Sequence, residues 1–470
     1  MRTKIVATIG PSTEDRDRIH ALADLGVDVI RINFAHGDHD KVKQWILWIR
    51  EAAEVVGKPM AILADLAGPK IRIGALPEPV VLEERKQVVL APEATAKTGE
   101  LPTTFAALAD DVAPGNRILL DDGRLELRVL WVTPPRVRCE VVRGGILHQK
   151  KGMNLPGVRV STPSLTEKDL VDLAFAIEHD VDYVGLSFVQ RAEDVRQLRA
   201  LLPAGPLVVA KIEKDRALEE IEPILMASDA VMVARGDLGV ELPFEQVPVA
   251  QKRIIQLANL YGRPVITATQ MLESMMENPR PTRAEASDVA NALFDGTDAV
   301  MLSGETAAGK YPLLAVDAMV RIAAEIERTQ AYGEGPKYDL AINRHLRVGA
   351  TPTEHAIAAA TVEAARLLGV PAIVTFTRSG STTRLVSSYR PNVPILGVTD
   401  QPRTWRQLSL VWGVQPVLGT GDVNYENMLE HARDYLLRNH LAKRGQRIVV
   451  TAGIPFHVSG TTNMMRVEEV

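Results

Sequence analysis

The sequence predicts an α/β protein: a (β/α)8 barrel of the TIM type, a small β-barrel lid domain inserted into it, and a C-terminal α/β open-sheet domain. Three observations carry this reading. Apolar strand-like runs alternate with amphipathic helical stretches, three times before an interruption and five times after it. The interruption, residues 73–156, holds short β-rich pieces, frequent proline and glycine, and no long amphipathic helix. After about Tyr338 a second, shorter series of strand and helix signals begins. The domains expected are therefore 1–72 and 157–337 for the barrel, 73–156 for the lid and 338–470 for the last unit.

The elements follow in order. Lys4–Gly10 reads as the first strand and Glu14–Leu25 as a helix stopped at Gly26. Asp28–Phe34 is the second strand, and Asp40–Val56 a helix ended by Gly57-Lys58-Pro59. Met60–Leu66 is the third strand. Inside the insertion, Asp121-Asp122-Gly123 has the composition of a hairpin turn. The rhythm resumes where Thr166-Glu167-Lys168-Asp169 caps the apolar run Leu170–Ile177. Five strands follow: Asp182–Phe188, Leu207–Glu213, Ala230–Arg235, Pro264–Gln270 and Ala299–Glu305. Before the fourth of these, Ala250, Ile254, Leu257, Ala258 and Tyr261 line one helix face, with Pro248 near its start and Gly262 past its end. In the last unit Glu354–Leu368 is an alanine-rich helix. Ala372–Thr377, Pro394–Thr399, Val414–Leu418 and Arg447–Ala452 are candidate strands.

Composition narrows the class. A chain of 470 residues exceeds one ordinary core. With 46% hydrophobic and 24% charged residues it is a globular enzyme by composition, not a disordered or fibrous protein. A net charge of −5 argues against a broad nucleic-acid surface. Cys139 is the only cysteine, so neither an internal disulfide nor a cysteine-based zinc site is expected. The start RTKIVATIG has no apolar signal core and no run is long enough to span a membrane, so the expected compartment is the cytoplasm.

Barrel enzymes place their reactive groups at the carboxyl ends of the strands. Here those ends carry Arg31 and Asn33; Asp65, with Lys70 and Arg72 just beyond; Ser187; Lys211 and Glu213; Arg235 and Asp237; Thr267 and Thr269; and Ser303 and Glu305. Any one alone reads as a solvated strand end or a local ion pair. Seven strand ends agreeing point to a shared cleft. Lys211 and Glu213, two apart, face the same side of a strand. Glu213 and Asp237 are oxygen donors suited to a hard divalent cation. Lys211, Arg31 and Arg72 are cations that can surround a transferring phosphoryl group. Gly236 and Asp237 can open a helix whose N–H groups meet a carboxylate.

These residues lie in segments that resemble the pyruvate kinase family over nearly the whole chain: RINFAHG from Arg31, DLAGPKIR from Asp65, KGMNLPG from Lys151, KIE from Lys211, ARGDLGVE from Ala234, ATQMLESM from Ala268, PRPTRAEASDVAN from Pro279 and MLSGET from Met301. The resemblance implies phosphoryl transfer from phosphoenolpyruvate to ADP, giving pyruvate and ATP. It implies that Glu213 and Asp237 bind Mg²⁺ or Mn²⁺, and that Lys211 stabilises charge on the phosphoryl group and the enolate oxygen. Gly236, Asp237 and Thr269 would hold the substrate carboxylate, and Arg31 the phosphoryl end. Asn33, Phe34, Ala35, His36, Arg72 and Lys151 would contact the nucleotide. The lid would exclude water. Apart from what the resemblance implies, the proton path to the enolate expected here is Thr269 with a water chain towards Ser303 and Glu305. A homotetramer is also implied.

The chain departs from the family pattern at one place. Many members hold K⁺ near the phosphoryl site. At the matching positions this chain has Ala35 for a serine, Leu66 for a threonine and Lys70 for a glutamate. The Lys70 ammonium takes the role of the monovalent ion in this reading, and activity without K⁺ is expected. In the last unit, Thr377-Arg378-Ser379-Gly380-Ser381-Thr382 is a hydroxyl-rich loop between a strand and a helix, suited equally to capping and to a phosphate. The resemblance favours a sugar-phosphate or nucleotide effector there, with Ala452–Asn463 as the other wall. Two rival readings are a barrel lyase or aldolase and a non-catalytic sugar-phosphate sensor. Arg72, Lys151 and the lid disfavour the first; the joint presence of Lys211, Glu213, Asp237 and Thr269 disfavours the second.

Overall fold

A computed structural model describes residues 1–35, 38–202, 205–329, 353–421, 424–455 and 462–470. His36, the expected boundary between residues 337 and 338, and most of the loop within Ala452–Asn463 lie outside them.

Eight parallel strands close into a barrel. They are Lys4–Ile9, Val29–Asn33, Ala61–Asp65, Tyr183–Leu186, Leu207–Ile212, Ala230–Ala234, Val265–Ala268 and Ala299–Leu302, and the first pairs with both the second and the eighth. Every residue of Lys4–Ile9 and of Ala230–Ala234 is buried. Helices cover the outside of the barrel and side chains fill its inside, so these strands read as unbroken apolar runs instead of alternating ones. The expected capping box is present: the Thr166 hydroxyl accepts from the Asp169 N–H and Asp169 returns the bond, opening the helix Glu167–Glu178. Pro248 lies in the first turn of the helix Val247–Leu260. Several strands end earlier than expected, Leu207–Ile212 and Val265–Ala268 among them, and two expected strand-end residues lie in helices instead. Arg235 begins a short helix, Arg235–Glu241, and Glu305 lies in another, Gly304–Ala307.

Between the third and fourth barrel strands the chain leaves the barrel. Its strands form a six-stranded sheet and a separate two-stranded one, Val80–Leu82 with Gly145–Leu147. The two sheets share one apolar core that includes Leu90, Ile118, Leu127, Val137 and Cys139. The turn at Asp121-Asp122-Gly123 has positive φ at all three residues and joins Arg117–Leu120 to Leu125–Thr133, as expected of a hairpin.

The last unit is a five-stranded sheet in the order Val414–Leu418, Ile395–Thr399, Ile373–Phe376, Arg447–Gly453, Thr462–Glu469. The first four are parallel. The fifth, absent from the expected strands, runs antiparallel along the edge. This unit seals the amino end of the barrel. Leu410 joins the cluster of Val6, Val29, Leu63 and Met232 inside the barrel mouth. Around it, the Lys4 ammonium donates to the Val414 carbonyl at 2.8 Å, and the Ser409 hydroxyl to the Pro59 carbonyl at 3.0 Å. Asp182, wholly buried, accepts from Arg50 at 3.0 Å, Arg406 at 2.7 Å and the Ile62 N–H at 2.8 Å. The amino end is therefore closed, and the carboxyl end is the one left for chemistry.

Candidate active site

Asp65 ends the third strand at 1% exposure and ties two cations together. Its Oδ2 accepts from Arg31 Nε at 2.7 Å, and its Oδ1 lies 3.2 Å from Lys211 Nζ. Arg31 also donates to the Thr8 hydroxyl at 3.1 Å, so three neighbouring strands fix its guanidinium. Room for this carboxylate comes from Gly185, where a Cβ would stand 3.0 Å from Asp65 Oδ1. Burial pushes the Asp65 carboxyl up, but Lys211 and Arg31 outweigh it and hold the group below the usual carboxylate range.

Lys211 is the hub. Besides Asp65 it meets Glu213 Oε1 at 2.9 Å and donates to the Ser187 hydroxyl at 2.8 Å. Burial lowers the Lys211 pKa, but Asp65 and Glu213 outweigh it and raise the pKa above its usual value, so the ammonium is held charged. Its three oxygen partners fix the ammonium in one orientation. Glu213 in turn accepts from the Phe188 N–H at 2.7 Å. Burial raises the Glu213 pKa; Lys211 opposes the rise and the negative charge of Asp237 adds to it. Two neighbouring carboxylates can hold a cation between them. No group of three or more candidate ligands occurs among the described residues. A pair suits Mg²⁺, which is commonly held by one or two carboxylates and completed by water and substrate oxygens.

Thr269 follows the seventh strand with φ of 66°, a strained conformation for a β-branched residue. Its carbonyl accepts from Arg235, whose guanidinium is also paired with Asp288 at 2.6 Å. Arg235 is thus an anchor for the Thr269 turn and not a ligand in the cleft. The Thr269 hydroxyl accepts from the Gly236 N–H at 2.7 Å and donates to the Ala268 carbonyl at 2.6 Å. That joins Thr269 to the start of the helix bearing Asp237. The Ser303 hydroxyl oxygen is buried with no hydrogen-bond partner among the described residues, and the Ser303 N–H donates to Glu305 at 2.8 Å. Thr267, by contrast, bonds the Thr297 hydroxyl inside the barrel wall.

The expected nucleotide residues divide. Phe34 is fully buried, edge-on to Phe175 at 6.1 Å, so its ring is core; its N–H donates to the Asp65 carbonyl and its carbonyl accepts from Lys168 at 2.7 Å. Strand alternation already sets Arg31 and Asn33 on one face and Ile32 and Phe34 on the other. Asn33 accepts from the Ala35 N–H at 3.1 Å and Ala35 is exposed. Arg72, where the chain leaves for the lid, donates to the Lys150 carbonyl at 3.1 Å, and Lys151, on the lid's return path, pairs with Asp121 at 2.7 Å. Neither is joined to the Lys211 cluster. Lys70 lines the cleft between lid and barrel together with Asp237, Lys214, Asn154 and Phe188. Sequence reasoning gave no role to Asp65, Ser187, Lys214 or Glu241, which hold the others in place. For Asp65 the signal was available, since it ends a barrel strand as the rest do.

In the last unit, the loop from Thr377 to Thr382 is closed on itself. The Ser379 hydroxyl donates to Ser381, Arg384 to the Ser379 carbonyl, and Thr404 to the Arg378 carbonyl. Gly380 takes φ of 79°, and Thr382 shares a hydrogen bond of 2.6 Å with Thr462 on the edge strand.

Comparison with known proteins gives one consistent result. Residues 1–316 match the family model described as pyruvate kinase, barrel domain, and residues 355–468 match pyruvate kinase, alpha/beta domain. A pyruvate kinase of Geobacillus stearothermophilus is 44% identical over 477 residues, covering 100% of this chain and 80% of that protein. One of Staphylococcus aureus strain MRSA252 is 45% identical over 476 residues with the same coverage. No described helix is long and apolar enough to cross a membrane.

Proposed function

Because the chain belongs to the pyruvate kinase family, and so transfers the phosphoryl group of phosphoenolpyruvate to ADP in glycolysis, we propose that the Asp65–Lys211–Glu213–Asp237 cluster is where transfer occurs. The observation that carries this is Lys211: a buried ammonium held charged by three oxygen partners at the carboxyl end of the barrel. Phosphoryl transfer asks a protein chiefly for positioning and charge neutralisation. Glu213 and Asp237 are the residues to hold Mg²⁺ or Mn²⁺, which supplies a further positive charge to the phosphoryl and enolate oxygens. Lys211 and Arg31 neutralise the phosphoryl oxygens. Gly236, Asp237 and Thr269 orient the carboxylate of phosphoenolpyruvate. Arg72, at the base of the lid, and Lys151, on its return path, meet the phosphates of ADP when the lid approaches, and the lid keeps water from competing as acceptor. Thr269, with Ser303 and Glu305 behind it, passes a proton to the enolate carbon. A cytoplasmic homotetramer is part of the same reading.

Activity without K⁺ follows from three residues. Ala35 has no hydroxyl, Leu66 is apolar and 1% exposed, and Lys70 brings its own charge to the cleft. Pyruvate formation with Mg²⁺ is expected at equal rates in K⁺ buffer and in buffer with a large organic cation. Turnover only with K⁺ would remove the role given to Lys70 and leave the rest standing.

The Thr377–Thr382 loop is the proposed effector site, for a sugar phosphate or a nucleotide. Its support is the concentration of hydroxyls beside Arg378 and the Thr404 contact, which leads to the docked helix Pro402–Gln407. A sugar bisphosphate is expected to lower the half-saturating phosphoenolpyruvate concentration in the parent chain and to leave Arg378→Gln unmoved. An equal response in both places the effector elsewhere.

A further inference from the structure

We propose that Glu241, with Lys214 and Asn154, is a clasp that sets the separation of the two metal-binding carboxylates and ties the lid to them. This rests on the assignment of Glu213 and Asp237 to the cation. Glu241 is 5% exposed and ends the short helix Arg235–Glu241. Its Oε1 accepts from Lys214 Nζ at 2.5 Å and from the Asn154 side-chain amide at 2.9 Å. Its Oε2 is buried with no hydrogen-bond partner among the described residues.

Each partner connects Glu241 to something the reaction needs. Lys214 directly follows Glu213. Asp237 stands four residues before Glu241, on the same side of the helix. The Lys214–Glu241 pair therefore fastens the segment after the fifth barrel strand to the helix after the sixth, one residue from one cation ligand and one turn from the other. Asn154 belongs to the lid strand Met153–Asn154, paired with Arg117–Leu120. Asp215 reinforces the same junction by accepting from the Gly157 N–H at 3.0 Å, where the lid returns to the barrel. A charged acceptor buried at the hinge makes this contact stronger than an ordinary amide bond. Groups that hold metal ligands in position change metal affinity by about 10–100-fold when removed.

The test is binding of Mn²⁺ alone, followed by the electron paramagnetic resonance of the free ion in the full-length enzyme. Lys214→Met is the decisive variant. A simple charge argument predicts tighter Mn²⁺ binding once a nearby cation is gone. The clasp predicts the opposite, about tenfold weaker, because the two carboxylates lose their tie. Glu241→Asp, which keeps the negative charge but shortens its reach to Lys214 and Asn154, is expected to weaken binding to a similar degree, and it decides the matter if Lys214→Met does not fold. Asn154→Ala is expected to leave Mn²⁺ affinity within about twofold and to speed hydrogen exchange of the Met153–Leu155 amides about tenfold, the loss of one hydrogen bond to a charged group. Mn²⁺ binding by folded Lys214→Met that is as tight as in the parent, or tighter, overturns the clasp. Unchanged Mn²⁺ binding in Glu213→Gln overturns the cation assignment beneath it, so the two failures are distinct.

Discussion

Replacing Lys211 with methionine is expected to lower kcat by about 10²–10³-fold, the effect of removing one preorganised donor from a site where charge develops. Methionine keeps the length and the packing of the stem but removes the ammonium proposed to neutralise the phosphoryl group. It also strands Asp65 and Glu213, two buried carboxylates whose shared partner is this ammonium. Removing one member of a buried ion pair typically destabilises by about 3–5 kcal/mol. Arg31 still neutralises Asp65, which places the expected loss at the lower end. Steady-state pyruvate formation per mole of folded enzyme, with folding checked by thermal unfolding, separates the two effects. A folded variant within tenfold of the parent rate would move the chemistry away from this lysine.

Asp182→Ala should give the largest loss of stability with little change in chemistry. The residue is wholly buried and joins Arg50, Arg406 and the Ile62 N–H at the amino end of the barrel. Without it two guanidinium groups lose their buried counter-charge, at a cost of about 3–5 kcal/mol. Asp180 keeps one contact to Arg406 at 2.6 Å, so the dock is weakened and not abolished. The midpoint in urea is expected to fall, with kcat of the folded protein within about twofold of the parent, because the amino face of such a barrel serves stability. An unchanged midpoint would mean that Leu410 and the apolar contacts around it hold the last unit by themselves.

The fold was legible where burial leaves a one-dimensional trace. Barrel strands covered on both faces appear as apolar runs, and Pro248, Gly262 and the Thr166 capping box punctuate the helices. Thr462–Glu469 was missed because it is an edge strand: most of its side chains are at least partly exposed, so TNMMRVEE lacks the apolar run of a central strand. Arg235 and Glu305 were read as strand ends because a four-residue or seven-residue helix leaves too short a pattern to see.

The candidate site was legible only in part, for a related reason. Residues that end strands announce themselves by polarity, and Lys211, Glu213, Asp65 and Arg31 do meet. Contacts made by folding distant segments together leave no such mark. Asn154 and Glu241 are 87 residues apart, and Arg406 and Asp182 are 224 apart. Phe34 is the converse case. The family resemblance places it among the nucleotide residues, while the two-residue period of the strand sends its ring into the core.

The most direct measurement is pyruvate formation from phosphoenolpyruvate and ADP with Mg²⁺, comparing the parent chain with Glu213→Gln. Glutamine keeps the shape of the side chain and removes the negative charge that a cation requires. The account predicts turnover by the parent and a fall of at least about 10²-fold in the variant at equal Mg²⁺, as expected when a cation ligand is lost from a site whose chemistry needs the ion. A folded Glu213→Gln protein that turns over at the parent rate would contradict the assignment of transfer to the Lys211–Glu213–Asp237 cluster.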